Sequence, residues 1–298
     1  EMGQGLYTKV AQVVAHELQV DSRRIVCSST RTDKVPNTSA TAASSSSDLN
    51  GMAARDAARK IKEKLSAFAA EHFDVKETDV TFVDDHVVAG ENRLGFSELV
   101  EIAYFSRVPL SATGFYRTPK IHYDRERARG RPFFYYAYGA AVSEVLVDTL
   151  TGEYCVTRVD ICQDVGQSLN PAIDIGQIEG GYIQGMGWLT TEELIWGEDG
   201  RLQTLGPANY KIPTMGDIPI EFNVELFPNS PNAEATIFHS KAVGEPPFML
   251  GISAWSALRD AISSIADYRM SPALDTPATP ERVLKACEDM RMRHRFEQ

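Results

Sequence analysis

In the stretch Val243-Gly244-Glu245-Pro246-Pro247, a carboxylate stands between a glycine and two prolines, just before apolar Phe248, Met249 and Leu250. Pro246 biases Glu245 away from helical dihedrals, while Pro247 suits the first turn of a helix that follows. Glutamate is a poor N-cap beside Ser, Thr, Asp or Asn, so capping alone does not account for it. A carboxylate held this way against apolar neighbours has the form of a positioned general base. An ordinary helix-start glutamate is the alternative.

Three other stretches carry side chains, or lack them, in a way that suits a ligand. Gly3-Gln4-Gly5 precedes a helical pattern, where free amides favour an anion; a simple turn has the same composition. Residues 38–47 are rich in hydroxyls and almost without bulk, fitting either a flexible linker or a cradle for a phosphate or polar cofactor. Asp48, directly after them, argues against a bare phosphate because its carboxylate competes for the same amides. The segment from Ile175 to Gly187 holds five glycines in a helical pattern. At about 0.8–1 kcal/mol each relative to alanine, they cost roughly 4–5 kcal/mol. Close helix packing and a ligand lying against the backbone are the two ways to offset it.

The elements that must position these residues can be read from periodicity. Leu6, Val10, Val13, Val14 and Leu18 predict a helix over about 5–19, and Asp21 to Thr30 a strand. Ala54, Ala58, Ile61, Leu65 and Phe68 predict a helix over roughly 49–71; a strand around Val80 and Phe82 and a helix over 96–105 follow. Residues 117–131, with six basic and two acidic side chains, read as an exposed loop. A hairpin is predicted from Phe133 through Thr149-Leu150-Thr151-Gly152 to Ile161, and Asn170-Pro171 opens the glycine-rich helix. A strand near 220–227, a long apolar helix over 247–266 and a short helix from Thr279-Pro280 complete the chain. The class is α+β with mixed sheets, β-hairpins and packed helices, in two regions: 1–110 with the hydroxyl-rich loop, and 111–298 with the glycine helix and Glu245.

Composition bounds the function. The net charge is 30 − 41 = −11, which argues against binding a nucleic-acid backbone. Cys27, Cys155, Cys162 and Cys287 form no CxxC, and the six histidines form no HExxH, so no metal bound directly by protein side chains is expected. Reduced thiols and the lack of a long apolar run point to a cytoplasmic setting.

Taken in order, five stretches resemble the molybdenum-binding part of the molybdenum hydroxylases. They are 1–5, 35–48, Thr113-Gly114-Phe115-Tyr116-Arg117-Thr118-Pro119, 168–177, and Lys241-Ala242-Val243-Gly244-Glu245-Pro246-Pro247. The third and fifth lean toward the xanthine dehydrogenase branch. The resemblance implies the carboxy-terminal part of a molybdopterin-binding region. It implies Glu245 as general base on the Mo–OH nucleophile, with hydride passing to the Mo=S sulfido ligand and hypoxanthine or xanthine oxidised to urate. It implies that Gln4 and Gln177 hold the molybdopterin, with Met2, Gly3, Thr41, Ser44 and Ser46 as further cofactor contacts. It implies Ala42 and Ala43 as the small residues that leave room for substrate.

The family's substrate-orienting arginine and glutamate and its two purine-sandwiching phenylalanines lie upstream of the first motif, as do its iron–sulfur and flavin modules. The expectation is therefore a piece of a larger unit, active only with a chain carrying the other half of the molybdenum site. A [2Fe-2S]/FAD partner would pass electrons to NAD or O2. Aldehydes or other N-heterocycles as substrates, and a non-catalytic binding module, are the alternative readings.

Overall fold

The computed structural model describes residues 1–33 and 40–297; the first part of the 35–48 motif, residues 35–39, lies outside them. The chain divides into two compact units, one of residues 1–135 and 233–239, the other of 136–232 and 240–298.

In the first unit, helix α1 (Leu6–Leu18) packs against the long helix α2 (Ser46–Phe73). The short strands β1 (Val80–Val83), β2 (His86–Ala89) and β3 (Asn92–Gly95) form an antiparallel meander, followed by helix α3 (Phe96–Phe105). Leu65 and Ala69 of α2, Phe82, Val87, Leu99 and Ala103 close its core. The strand expected over 21–30 does not form. The Asp21 carboxylate accepts from the Arg23 amide (2.8 Å) and caps a 3₁₀ turn at Ser22–Arg24, and Arg24 bonds Asp85 and Ser97. The basic stretch 117–131 is not all loop either: β4 (His122–Asp124) and β5 (Arg129–Arg131) pair in it.

The sequence-based division after residue 110 differs from these units, since 111–135 and 233–239 fold with the first. A Cβ on Gly114 would sit 1.8 Å from the Ala53 carbonyl oxygen on α2, and the Phe115 amide donates to Asp56 (3.0 Å). Lys120 and Arg131 both pair with Glu234, at 2.6 and 2.5 Å, and hold its carboxyl below the usual range.

In the second unit, β6 (Gly139–Val147) and β7 (Tyr154–Gln163) form the expected hairpin, and β8 (Glu221–Leu226) joins β7 in parallel. Helix α4 (Pro171–Thr190) begins where predicted, with the Asn170 side chain accepting from the Ile173 amide at 3.2 Å. Val159, Ile161, Ile178, Tyr182, Met186, Val243 and Ala254 bury one face of the sheet against the helices. The apolar run 247–266 is not one helix but a 3₁₀ segment Pro246–Gly251, helix α5 (Ile252–Ser263) and a 3₁₀ turn Ser264–Ala266. The terminal helix α6 (Pro280–Glu297) has 18 residues and is not short; Val283, Cys287 and Met290 pack it on Leu258 and Ile262. Among the described residues no helix is long and apolar enough to cross a membrane.

Candidate active site

Glu245 is exposed, at the N-cap position of the 3₁₀ segment Pro246–Gly251, and its carbonyl accepts from the Phe248 amide at 3.0 Å. Its backbone is helical, φ −82° and ψ −32°, against the bias expected from Pro246. The reason is the surface that the segment must fit. A Cβ on Gly181 would meet the Gly244 carbonyl oxygen at 2.9 Å, and one on Gly185 would meet the Phe248 carbonyl oxygen at 2.0 Å. From the other side, a Cβ on Gly251 would lie 2.4 Å from the Met186 amide nitrogen. Helix α4 and the glutamate-bearing turn thus touch backbone to backbone, and tertiary contact overrides the local preference.

This settles part of the glycine question. Gly181 and Gly185 are packing glycines, and Gly187 is a third, since its Cβ would lie 2.5 Å from Pro213. Gly176 and Gly180 are exposed and a Cβ on either would meet nothing within 4 Å. With half-buried Gln177 and exposed Gln184 they form a side-chain-poor face of α4 presenting bare backbone. Gly251 was not singled out in the sequence. Its signal was a glycine ending an apolar run at helical distance from Glu245.

Upstream of Glu245 the chain is a strap pinned at several points. The Lys241 amide donates to the Val165 carbonyl (2.7 Å), Ser240 bridges to Gly166, and Val243 is buried in the core. The Lys241 ammonium is paired with the Asp164 carboxylate, each side chain only 10% exposed.

The remaining predicted residues belong to the first unit. Gly5 caps α1 with φ 79°, a left-handed conformation that favours glycine, and Gly3 has φ 99°. The Gln4 side chain folds back to accept from the Met2 amide at 2.6 Å, and the Tyr7 amide at the start of α1 donates to the Glu1 carboxylate at 2.5 Å. Thr41 is half-buried; Ala42 and Ala43 are exposed, Ser44 half-buried and Ser46 buried in the first turn of α2. Ala43 (φ 61°) and Ser44 (φ 44°) both adopt left-handed backbone, which non-glycine residues hold only where their surroundings dictate it.

Four residues beyond Ser44, Asp48 is buried and accepts from the Tyr135 hydroxyl at 2.6 Å. Burial pushes its carboxyl up to about 6, against the pull of Tyr135 and the Ile237 amide. Among the described residues no group of three or more His, Cys, Asp or Glu could hold a metal ion.

Residues 1–219 match the family model described as "Molybdopterin cofactor-binding domain". The chain is 47% identical over 300 residues to a xanthine dehydrogenase of Oryza sativa subsp. japonica, covering 97% of this chain and 20% of the relative. It thus spans about a fifth of the length of the curated relatives it matches. Among solved structures it is similar to a reconstituted CO dehydrogenase from Oligotropha carboxidovorans, with TM-score 0.81 and 26% identity, covering 98% of this chain and 35% of that one. It is equally close in fold to quinoline 2-oxidoreductase from Pseudomonas putida 86, with TM-score 0.81 and 25% identity, over 97% and 36% of the two chains.

Proposed function

Because the chain belongs to the molybdopterin cofactor-binding domain family of the molybdenum hydroxylases, we propose that it is the glutamate-bearing part of a xanthine dehydrogenase-type enzyme. Glu245 acts as its general base and a purine is its substrate. The observation that carries this reading is the seating of Glu245. It is an exposed carboxylate on a turn clamped backbone to backbone against α4, the helix that also presents Gln177.

The residues fit the cofactor. The open Cβ positions of Gly176 and Gly180 leave a helix face on which a flat, polar group can lie against the backbone. Gln177 would hydrogen-bond the pterin from that face. In the first unit, Gln4 would offer an amide to the cofactor, with Met2, Gly3, Thr41, Ser44 and Ser46 as the further residues we assign to holding it. Ala42 and Ala43, exposed and small, leave space for substrate. When bound, the molybdenum cofactor supplies oxygen transfer to carbon and takes up two electrons. Glu245 would accept and hold the proton released in that oxygen transfer, and a base in that role typically contributes about 10²–10⁴-fold.

The rest of the molybdenum site, with the iron–sulfur and flavin modules that carry electrons to NAD or O2, belongs to sequence outside this chain. The 47% identity to a xanthine dehydrogenase supports the purine over an aldehyde. The test is Glu245→Gln in the holoenzyme, assayed with xanthine and with an aromatic aldehyde. Xanthine turnover falls at least a hundredfold while molybdenum content is unchanged. Undiminished turnover, or an intact enzyme that prefers the aldehyde, sinks the base or the substrate assignment respectively.

A further inference from the structure

Resting on the reading of Glu245 as the base, we propose that the buried Lys241–Asp164 ion pair is its positioning element, fixing the strap 241–245 that delivers the carboxylate. Asp164 follows the last residue of β7 and is itself immobilised. Its amide donates to the Tyr138 carbonyl (2.8 Å), and its Oδ1 accepts from the Gly166 amide (2.9 Å). That leaves Oδ2 for the Lys241 ammonium, which also lies over the Tyr138 ring, 5.5 Å from its centre. One end of the strap is therefore tied to the sheet by a main-chain bond and a charge pair. The other end is seated on α4 where the Gly244 carbonyl meets Gly181. Only Ala242 and Val243 lie between the two anchors, and Val243 is buried, so Glu245 inherits its place from both.

Stability does not explain the choice of charges. A buried ion pair is often no better than a well-packed apolar pair of the same volume, while removing one partner strands the other. What a Lys–Asp pair adds over an apolar contact is a single admissible register. On a strap of this kind, a slip of one residue would turn Glu245 away from the site.

The test uses the holoenzyme, with substrate-driven reduction measured anaerobically and expressed per molybdenum. Asp164→Asn keeps the shape and the Gly166 bond but removes the charge; Lys241→Met strands Asp164. Each lowers the rate per molybdenum about 10–100-fold, as expected for displacement of a reacting group by about 1 Å, with KM changed less than about threefold. The double variant Lys241→Met/Asp164→Leu, in which neither charge is left alone, keeps its molybdenum but also the lowered rate, because an apolar pair does not fix the register; a wild-type rate in it overturns the inference. Wild-type rates per molybdenum in Asp164→Asn and Lys241→Met overturn the inference, whatever the yields. If Lys241→Met fails to load molybdenum, the isosteric Asp164→Asn decides by the same criterion. Glu245→Gln in the same series separates the two claims. Active Glu245→Gln defeats the assignment of the base, whereas inactive Glu245→Gln beside normal Asp164→Asn defeats only the positioning role.

Discussion

Replacing Gly185 by Ala perturbs the seat of Glu245 without touching the glutamate. The new Cβ would lie 2.0 Å from the Phe248 carbonyl oxygen, 3.0 Å from its carbon and 3.5 Å from Gly251 Cα. The obstructing atoms are backbone, so no side chain can swing aside, and α4 and the turn must part by roughly 1 Å to restore an ordinary contact. Overpacking of this kind costs about 1–3 kcal/mol, and a backbone-on-backbone clash belongs at the upper end. Alanine returns about 1 kcal/mol through helix propensity. The net loss of about 2 kcal/mol corresponds to a fall in melting temperature of roughly 4–8 °C for a unit of this size. The same 1 Å opening moves the segment that begins at Glu245, for which about a hundredfold loss of turnover is expected. The assay is thermal unfolding together with steady-state xanthine oxidation per molybdenum in the holoenzyme. Gly185→Ala melting at the wild-type temperature with wild-type turnover would refute the view that backbone contact seats the glutamate.

Gly180→Ala is the matched contrast. Its Cβ meets nothing within 4 Å, so the apo chain gains up to about 1 kcal/mol in unfolding measurements, while molybdopterin content of the purified holoenzyme falls if that face lies against the cofactor. Asp48 should tilt the pH dependence of stability. Its folded carboxyl is raised from 3.8 to about 6, so the unfolded chain releases its proton first. Stability is then highest below about pH 4 and declines through pH 6, by on the order of 3 kcal/mol. Asp48→Asn removes that slope and is more stable at pH 7.5 in denaturant titrations; an unaltered slope counts against the buried carboxyl as its source. Asn170→Ala leaves the Ile173 amide uncapped and should cost about 1 kcal/mol by the same titration, with substrate KM unchanged.

Helices and the long hairpin were legible because their signals are local and repeated. Leu6 to Leu18 and Ala54 to Phe68 each present an apolar face over several turns, and the Asn170-Pro171 start is a chemical signal in two residues. What escaped depends on contacts distant in sequence. Strands β2 and β3 are only four residues each, too short for alternation to register, and the turn that leads into β2 relies on left-handed Asp84 and Asp85. The expected strand after Asp21 gave way to a 3₁₀ turn because Asp21 holds Arg23 while Asp85, 61 residues away, holds Arg24. At the site, the form of the Glu245 motif was visible but its dihedrals were not, since Gly181 and Gly185, on a helix some sixty residues upstream, set them together with Gly251. The glycine helix was recognisable as anomalous. Which of its glycines meet backbone and which meet open space is set by segments distant in sequence, around Pro213, Gly244 and Phe248.

The seven residues 233–239 fold with the first unit although the chain on either side folds with the second. Ile237 lies against Gly51, and Glu234 anchors Lys120 and Arg131, so the excursion supplies the first unit with part of its interior and its charge balance. Neither unit is therefore a contiguous stretch of gene. A polypeptide ending at Tyr135 lacks the insert its own fold needs, and one starting at Tyr136 carries an insert with no host. Recombination between relatives at the 135/136 junction would pair an insert from one parent with a receiving surface from the other. The loop of Ala42 and Ala43 and the strap of Glu245 are in this sense genetically linked, since the chain leaves the excursion at His239 and reaches Glu245 six residues later.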